Sequence, residues 1–370
     1  MRLINASTLK LKSFIDDSQL PKYAILSHTW GAGEVTFDDL RRNRPSELEH
    51  MPGYQKIRLA ALQTLRDNLN YVWVDTCCID KTSSAELSES INSMFRWYAK
   101  AEICYAYLED IQEEALAKAR WFTRGWTLQE LLAPDKLHFY DRGWKFIGDK
   151  IYLEPKIARI TGIDIEALDS GNKLGDYSVA TRMSWAASRT TTRAEDMAYC
   201  LMGIFDVNMP LLYGEGGLKA FTRLQQVVLE DTSDCSVFAW VSTEDHAQLR
   251  LNKTGHLLRN HNQGGGSIYA KTPKDFRESS GVRSSHSGEI IFTSIGVKLE
   301  LPMFSLSHLT THLTDSRDQD FFVVPDGNLL RRLDLENGDK EADAQAGEPR
   351  AYPDSITLDE LLTSNRTAGG

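Results

Sequence analysis

The chain has 370 residues, enough for two or three packed units, because a single hydrophobic core stops growing at about 250–300 residues. Hydrophobic residues make up 41% and charged residues 25%, which is near the average for globular proteins and excludes a wholly disordered chain. A formal net charge of -10 argues against nucleic acid or an anionic membrane as the partner, since both attract basic surfaces.

The cysteine pattern and the start of the chain indicate an intracellular protein. The five cysteines form no C-x-x-C pair, so neither a disulfide framework nor a metal site is predicted. Residues 1–5 lack the apolar run of a secretory signal, and no stretch reaches the roughly 18 apolar residues that span a bilayer. We therefore expect a cytoplasmic protein without a membrane span.

Short apolar runs alternate with helical patterns through the first 150 residues. The runs are nearly continuous and rich in aromatic or branched residues, which predicts buried strands at Tyr23–Ser27, Tyr71–Asp75, Ile103–Leu108 and Leu137–Tyr140. Between them, a capping box of Ser83 and Glu86 opens one predicted helix. A second predicted helix carries Ile57, Ala61, Leu65 and Leu69 on one face.

This alternation predicts a doubly wound α/β domain over residues 1–150, with a mostly parallel, flavodoxin-like sheet. Open α/β sheets bind ligands outside the carboxyl ends of their strands. Three polar segments follow predicted strands there: Ser27–Gly33, Asp75–Asp80 and Glu109–Asp110. We expect the working site among these loops.

Two further regions are predicted after this domain. Residues 151–235 have a helical pattern, with one helix from Ala194 to Gly203 and another that begins near Leu218. Residues 236–370 are predicted to be β-rich and to include a mobile, charged segment near 336–350. The predicted strands of this region are Ser236–Val241, Glu289–Ser294, Val297–Leu301 and Phe321–Val324.

Three stretches resemble the signatures of the fungal heterokaryon incompatibility (HET) domain, in the family's order. They are Leu26–Gly31, Trp73–Asp80 and Arg124–Glu130, and the stretch from Arg182 to Gly216 is similar to the segment that follows this domain in many incompatibility proteins. The resemblance implies an effector that triggers regulated cell death on non-self recognition, often as one module of a larger receptor-like protein.

The HET pattern is also similar to that of TIR domains, which have a flavodoxin-like fold and in several lineages hydrolyse NAD. In that comparison Trp126–Glu130 resembles the tryptophan-containing stretch that ends in the catalytic glutamate, so the resemblance implies Glu130 as the catalytic residue. No cofactor is implied, and NAD or a related nucleotide is the expected substrate. The implied ligand-binding residues are Ser27, His28, Trp30, Gly31, Asp75, Cys78, Asp80, Arg124, Trp126 and Gln129.

The chemistry needs only one carboxylate. In the nicotinamide–ribose bond the leaving group is a cation that departs neutral, so no general acid is required and one carboxylate can stabilise the developing oxocarbenium charge. Trp126 and Glu130 lie four residues apart, on one helix face, and can approach the same ligand. Alternatively, Trp126 belongs to the core and Glu130 pairs with Arg124 or a nearby lysine.

Each of the other candidate sites also has a structural interpretation. The Ser27–Gly33 loop can offer backbone N–H groups to a phosphate, or it can be a tight turn filled by Trp30, with His28 a structural residue. Asp75 and Asp80 can bind ribose hydroxyls, or they can form a turn and cap a helix.

A cluster of charged residues in the second region has two interpretations as well. Arg189, Arg193, Glu195 and Asp196 surround three threonines at 190–192. The arginines can clamp a diphosphate, or the cluster can be a helix start with its capping network.

Three hypotheses for the function remain. The first is a cell-death effector that hydrolyses NAD or a related nucleotide. The second is a non-catalytic TIR-like module that self-associates or binds a receptor-type partner. The third is a nucleotide sensor without turnover, which would show a ligand-dependent melting shift and unchanged ligand.

Overall fold

The computed structural model describes residues 1–42, 45–169, 171–232, 234–241, 250–251, 257–258, 268–283, 291–293 and 296–298. The chain divides into two compact units, one of residues 1–240 and 269–321 and one of residues 241–268 and 322–370. The predicted strand at 321–324 and the predicted mobile segment at 336–350 lie outside the described residues.

The first unit is an α/β structure built on a seven-stranded mixed sheet. Its strands are β1 (Arg2–Asn5), β2 (Leu11–Ser13), β3 (Ala24–His28), β4 (Tyr71–Val74), β5 (Ile103–Leu108), β6 (Leu137–Asp141) and β7 (Phe146–Asp149). Their order is β2-β1-β4-β3-β5-β6-β7. The four central strands β4, β3, β5 and β6 are parallel.

The prediction of a mostly parallel sheet is correct only for the four central strands, which are also the four strands predicted from the sequence. β1, β2 and β7 pair antiparallel at the edges of the sheet. These strands are only three or four residues long, too short for a clear hydrophobic pattern. Short connections explain the antiparallel β1–β2 and β6–β7 pairs, since a parallel crossover needs a dozen or more residues. They do not explain the β1–β4 pair, whose strands lie far apart in the chain.

The helices between β3 and β7 connect strands of the sheet or extend from their ends. They are α1 (Phe37–Arg42), α2 (Pro45–Leu48), α3 (Pro52–Arg66), α4 (Asp75–Cys78), α5 (Ser84–Lys100) and α6 (Thr127–Leu132). In α3 the prediction was right for Ile57 and Ala61, which are buried, and wrong for Leu65, which is 38% exposed. Leu69 lies beyond the end of α3.

The predicted start of α5 is confirmed, although its capping box is incomplete. Ser83 is the N-cap, and its hydroxyl accepts a hydrogen bond from the Glu86 amide. The Glu86 carboxylate does not bond back to Ser83. It binds Arg2 and accepts a hydrogen bond from the amide of Asp80 at 2.8 Å, so it ties α5 to β1 and to the loop before the helix.

Gly53, at the start of α3, allows the loop after β3 to lie directly against the helix. Its amide donates to the carbonyl of Gly33 at 3.0 Å, and a Cβ at Gly53 would lie 2.7 Å from the Cα of Glu34. Such a contact has to be relieved by moving backbone. Gly53→Ala is therefore expected to reduce the free energy of unfolding by about 1–3 kcal/mol in urea denaturation.

Gly175 provides the matched control for Gly53, because a Cβ there would meet no atom within 4 Å. Gly175→Ala is expected to change stability by less than about 0.5 kcal/mol. If Gly53→Ala were equally neutral, the loop after β3 would not be held against α3 as described.

A helical extension follows the sheet and belongs to the same compact unit. Its helices are α7 (Lys150–Thr161), α8 (Ile165–Asp169), α9 (Val179–Ser184), α10 (Asp196–Tyr199) and α11 (Gly217–Asp231). The helix predicted near Leu218 is confirmed as α11. The one predicted from Ala194 to Gly203 is a short α10 followed by a 3-10 turn at Met202–Ile204.

After residue 234 the prediction of strands is only partly correct. Cys235–Phe238 forms a 3-10 helix where a strand was predicted, because the Asp234 carboxylate caps the amide of Ser236. Two predicted strands are confirmed in shorter form as the antiparallel pair Ile291–Thr293 and Gly296–Lys298. None of the helices that the structure describes has the length and apolar composition needed to cross a membrane.

Candidate functional site

The carboxyl ends of β3 and β4 meet at one edge of the sheet. His28, the last residue of β3, places its Nε2 3.2 Å from Oδ1 of Asp75, which follows β4 directly. The indole N–H of Trp30 donates to the other oxygen of Asp75 at 2.8 Å. Three of the predicted ligand-binding residues are therefore in contact with one another.

Asp75 is an ionised carboxylate at this edge. Burial opposes its charge, but Lys81, His28 and Trp30 together outweigh burial and lower the pKa of Asp75 to about 2. The ammonium of Lys81 lies 3.5 Å from the centre of the Trp30 ring, in a cation–π contact. Trp30 is nevertheless 52% exposed, so it does not fill the domain as the structural alternative supposed.

A buried lysine that sequence reasoning missed links the loops after β3 and β5. Lys56 of α3 is 5% exposed; its Nζ forms an ion pair with Glu34 and lies 2.8 Å from Oε2 of Glu109. Nζ also lies 3.3 Å from Nδ1 of His28. An ammonium group can only donate, so Nδ1 of His28 accepts and its Nε2–H donates to Asp75.

In the loop after β3, a carboxylate of the same loop occupies the position where a phosphate was predicted to bind. The amide of Gly31 donates to Oε1 of Glu34 at 2.7 Å, and Glu109 lies so close to Gly31 that a Cβ there would come within 2.8 Å of Oε1 of Glu109. A phosphate on this amide would have to displace Glu34. Phosphate binding here stays a prediction, and the loop as described is closed by internal bonds.

Glu130 lies on α6 and is hydrogen-bonded to the end of β3. Its carboxyl group accepts from the hydroxyl of Ser27, and the Ser27 oxygen in turn accepts from the indole N–H of Trp121 at 2.7 Å. The indole can only donate, so the proton of the Ser27 hydroxyl is directed to Glu130. Glu130 is 7% exposed and pairs with neither Arg124 nor a lysine, contrary to the structural alternative.

The two carboxyl groups at this edge have opposite protonation states. Burial, together with the charge of Asp75, raises the pKa of Glu130 to about 8 against the opposing effects of Ser27, Tyr98 and Arg189. Glu130 is therefore mostly protonated at pH 7, whereas Asp75 is ionised. Paired groups with pKa values driven apart in this way are typical of functional sites.

The other predicted residues of α6 and its preceding turn contact the helical extension. The Trp126 indole donates to Asp196 at 3.4 Å, and Arg124 donates to the hydroxyl of Thr192 at 2.9 Å. The side-chain amide of Gln129 is buried, and its nitrogen has no hydrogen-bond partner in the described part of the chain. A ligand shared by Trp126 and Glu130 stays a prediction.

Cys78 and Asp80 have structural contacts. Cys78 is buried and its sulfur accepts a hydrogen bond from the amide of Val74 at 3.4 Å. The Asp80 carboxylate accepts from the amide and the hydroxyl of Thr82 at 3.0 and 2.6 Å, as a turn former does. Neither contact points to a ligand.

The charged cluster of the extension does not cap a helix with side chains. Oε1 of Glu195 accepts hydrogen bonds from the amides of Gly214 and Gly216, and Asp196 accepts from the hydroxyl of Tyr213 at 2.9 Å. Arg193 stacks 4.4 Å from the centre of the Tyr213 ring. These residues join the start of α10 to the turn before α11.

The cysteines show no sign of a nucleophile or a metal site. All five are free and buried, and burial raises the pKa of Cys77 and of Cys104. Within the described ranges, no three His, Cys, Asp or Glu side chains are grouped in a way that could hold a metal ion.

Comparison with known proteins identifies the region that contains β3, β4 and β5. Residues 23–117 match the family model described as heterokaryon incompatibility protein (HET). The chain carries a HET domain. This match confirms the resemblance seen in the sequence and includes Ser27, His28, Trp30 and Asp75. It ends before α6, so Glu130 lies outside the matched residues.

Two further comparisons extend beyond the HET domain. Residues 219–324 match a domain of unknown function, DUF8212. The chain is 46% identical over 278 residues to the vegetative incompatibility protein HET-E-1 of Podospora anserina. The alignment covers 70% of this chain and 20% of that relative, so the chain spans about a fifth of the relative's length. No solved structure gives a significant match.

Proposed function

We propose that this chain acts as an effector of fungal vegetative incompatibility and hydrolyses the N-glycosidic bond of NAD or a related nucleotide. The role in incompatibility is carried over from the HET domain and from the vegetative incompatibility protein HET-E-1 of Podospora anserina. The observation that carries the enzymatic part is the buried Glu130 carboxyl group, which is hydrogen-bonded to the carboxyl end of β3 and interacts electrostatically with Asp75.

The place of this carboxyl group in the sheet supports the proposal. The parallel strands follow the order β4-β3-β5-β6, which corresponds to the flavodoxin-like order of a doubly wound sheet. In such sheets the ligand binds where strand connections diverge, here between β3 and β5. Ser27, which holds Glu130, lies at the end of β3.

In the proposed reaction the bond between ribose and nicotinamide breaks, and its electron pair goes to the pyridinium nitrogen. Nicotinamide leaves neutral, and water adds to the ribose carbon and loses a proton. The ionised form of Glu130 stabilises the positive charge that develops on the ribose. A cationic substrate beside Glu130 would itself lower the pKa of this carboxyl group and favour the active form.

Nicotinamide release from NAD by the purified chain, measured by chromatography at several protein concentrations, tests the proposal. Glu130→Ala is expected to reduce the rate at least about 100-fold. Because free Glu130 must lose its proton, kcat/KM is expected to rise with pH and level off above about pH 8. Glu102→Ala removes a partly exposed carboxylate paired with lysines and is the control that should keep full activity.

Other results of this assay would contradict hydrolysis by this chain. No release at any protein concentration, or a Glu130→Ala variant as active as the parent, would rule out hydrolysis at this site. A melting shift with NAD that leaves the NAD intact would indicate a nucleotide sensor.

A second candidate function is a non-catalytic module that self-associates. It is favoured by the internal hydrogen bond of Glu130, which needs no ligand, and by exposed apolar side chains around β7 and the start of α7. Phe146 is 48% exposed, Ile151 65% and Tyr152 73%. This candidate predicts that Glu130→Gln leaves cell killing intact, whereas Tyr152→Glu abolishes it together with self-association in light scattering.

A further inference from the structure

Arg189 is a buried arginine of the helical extension that contacts the start of α6. It lies between α9 and α10 and is 1% exposed. Its Nη1 donates to the carbonyl of Arg124 at 2.8 Å and to the hydroxyl of Thr127 at 3.0 Å. Its Nε donates to the carbonyl of Trp185 at 3.3 Å. One of these three bonds reaches Thr127, the first residue of the helix that carries Glu130, and another reaches the turn before that helix.

The remaining nitrogen of this guanidinium, Nη2, is buried and has no hydrogen-bond partner among the residues that the structure describes. Leaving a charged donor without a partner costs free energy, so packing alone does not account for an arginine here. Thr127 and Glu130 are three residues apart and share a face of α6. The positive charge of Arg189 attracts the ionised form of the Glu130 carboxyl group.

The segment after Arg189 also fixes the turn before α6. The amide of Thr190 donates to the carbonyl of Thr123 at 2.8 Å, and the amide of Gly125 donates to the carbonyl of Thr190 at 2.9 Å. There is no space for a side chain at Gly125, since a Cβ would lie 2.5 Å from Thr191. The start of α6 is therefore held by the extension.

We propose that Arg189 is a positioning residue for Glu130: its guanidinium anchors the start of α6 and places a positive charge beside the Glu130 carboxyl group. The inference rests on the proposed function only for its catalytic consequence. It makes the helical extension a part of the site, although Arg189 lies outside residues 23–117.

The charge of Arg189 favours the ionised form of Glu130, which buried surroundings disfavour. Arg189→Met and Arg189→Gln remove the charge, and the glutamine keeps a donor for the carbonyl of Arg124. Both variants are expected to raise the pH at which Glu130 titrates by about one unit or more. Arg189→Lys keeps the charge and should leave the titration close to that of the parent.

Infrared or 13C NMR titration of the carboxyl group directly measures the pH at which Glu130 titrates. The Glu130→Gln variant is used to assign the Glu130 signal. The pH at which the rate of nicotinamide release levels off should move by the same amount as the pH at which Glu130 titrates. Arg182→Met is the matched control, because Arg182 is a second buried arginine of the extension that donates to the carbonyl of Ile204 and lies over the Phe205 ring. It should leave the titration unchanged.

The carboxyl titration separates this inference from the proposed function. If the parent releases no nicotinamide, hydrolysis fails, and the shift of the Glu130 titration still decides the role of Arg189. An unchanged titration in the neutral variants, or an equal shift in Arg182→Met, overturns the inference. The inference is also overturned if both neutral variants fail to fold while Arg189→Lys folds but shows a Glu130 titration different from that of the parent. Arg189 would then serve stability alone.

Discussion

Glu130→Gln is expected to be more stable than the parent by several kcal/mol at pH 8.5 and by only about 1 kcal/mol at pH 5. Burial raises the pKa of Glu130 to about 8 in the folded state, whereas an unfolded glutamate titrates near about 4.3. Below the pKa of the unfolded glutamate, the carboxyl group is protonated in both states, and its ionisation takes nothing from the stability of the fold. As the pH rises, the unfolded chain ionises first, and stability falls until the folded group also ionises near pH 8.

At pH 8.5 this linkage removes on the order of 3–5 kcal/mol from the free energy of unfolding. Glutamine has no proton to lose and its oxygen can still accept the hydrogen bond from Ser27, so the variant avoids this loss. Guanidinium denaturation of both proteins at the two pH values measures the difference.

Glu102→Gln is the control for this experiment. Glu102 is partly exposed, and its pKa is lowered by hydrogen bonds from Lys22 and Lys136. It therefore lacks the upward pKa shift that stabilises the Glu130 variant. A gain for Glu130→Gln that is the same at pH 5 and pH 8.5 would mean that the carboxyl group is not held protonated in the fold.

Lys56→Met is expected to lower the free energy of unfolding by about 3 kcal/mol or more. The substitution removes the partner of Glu109 and leaves the Glu34 carboxylate, whose side chain is only 13% exposed, without its ion pair. Breaking a buried ion pair from one side is costly because an uncompensated charge remains. Glu109 is 37% exposed and can turn to solvent, so most of the loss arises at Glu34.

Adding Glu34→Gln to Lys56→Met removes that unpaired charge, and the double variant is expected to recover part of the lost stability in urea denaturation. Lys22→Met provides the comparison for an exposed ion pair and should change stability little. A single Lys56→Met variant as stable as Lys22→Met would contradict the description of this cluster.

The central strands could be predicted because their residues are apolar on both faces. β5 was predicted with the observed bounds, Ile103–Leu108, and all six of its residues are buried. The edge strands β1 and β2 were missed, since an edge strand of three or four residues has little hydrophobic pattern. The strand predicted at 236–241 was wrong because a local cap from Asp234 overrides the apolar composition.

The contacts within the site were predictable only in part. Parallel strands bring their carboxyl ends to one edge, and this rule correctly brought the Ser27–Gly33 loop together with Asp75. No local signal marks Lys56, which occupies an ordinary position on an amphipathic helix and meets Glu109 from 53 residues away. The same holds for Arg189, 62 residues from Thr127.

By itself, the sequence determined which strands form the centre of the sheet and which polar residues follow them, because both depend on residue type and on short-range order along the chain. Only the tertiary structure decided that Asp75 is ionised and Glu130 protonated. Two carboxyl groups of nearly equal intrinsic acidity differ here because Lys81 and His28 surround one, while burial dominates at the other. Burial and long-range charge are properties of the folded arrangement, and no stretch of sequence carries them.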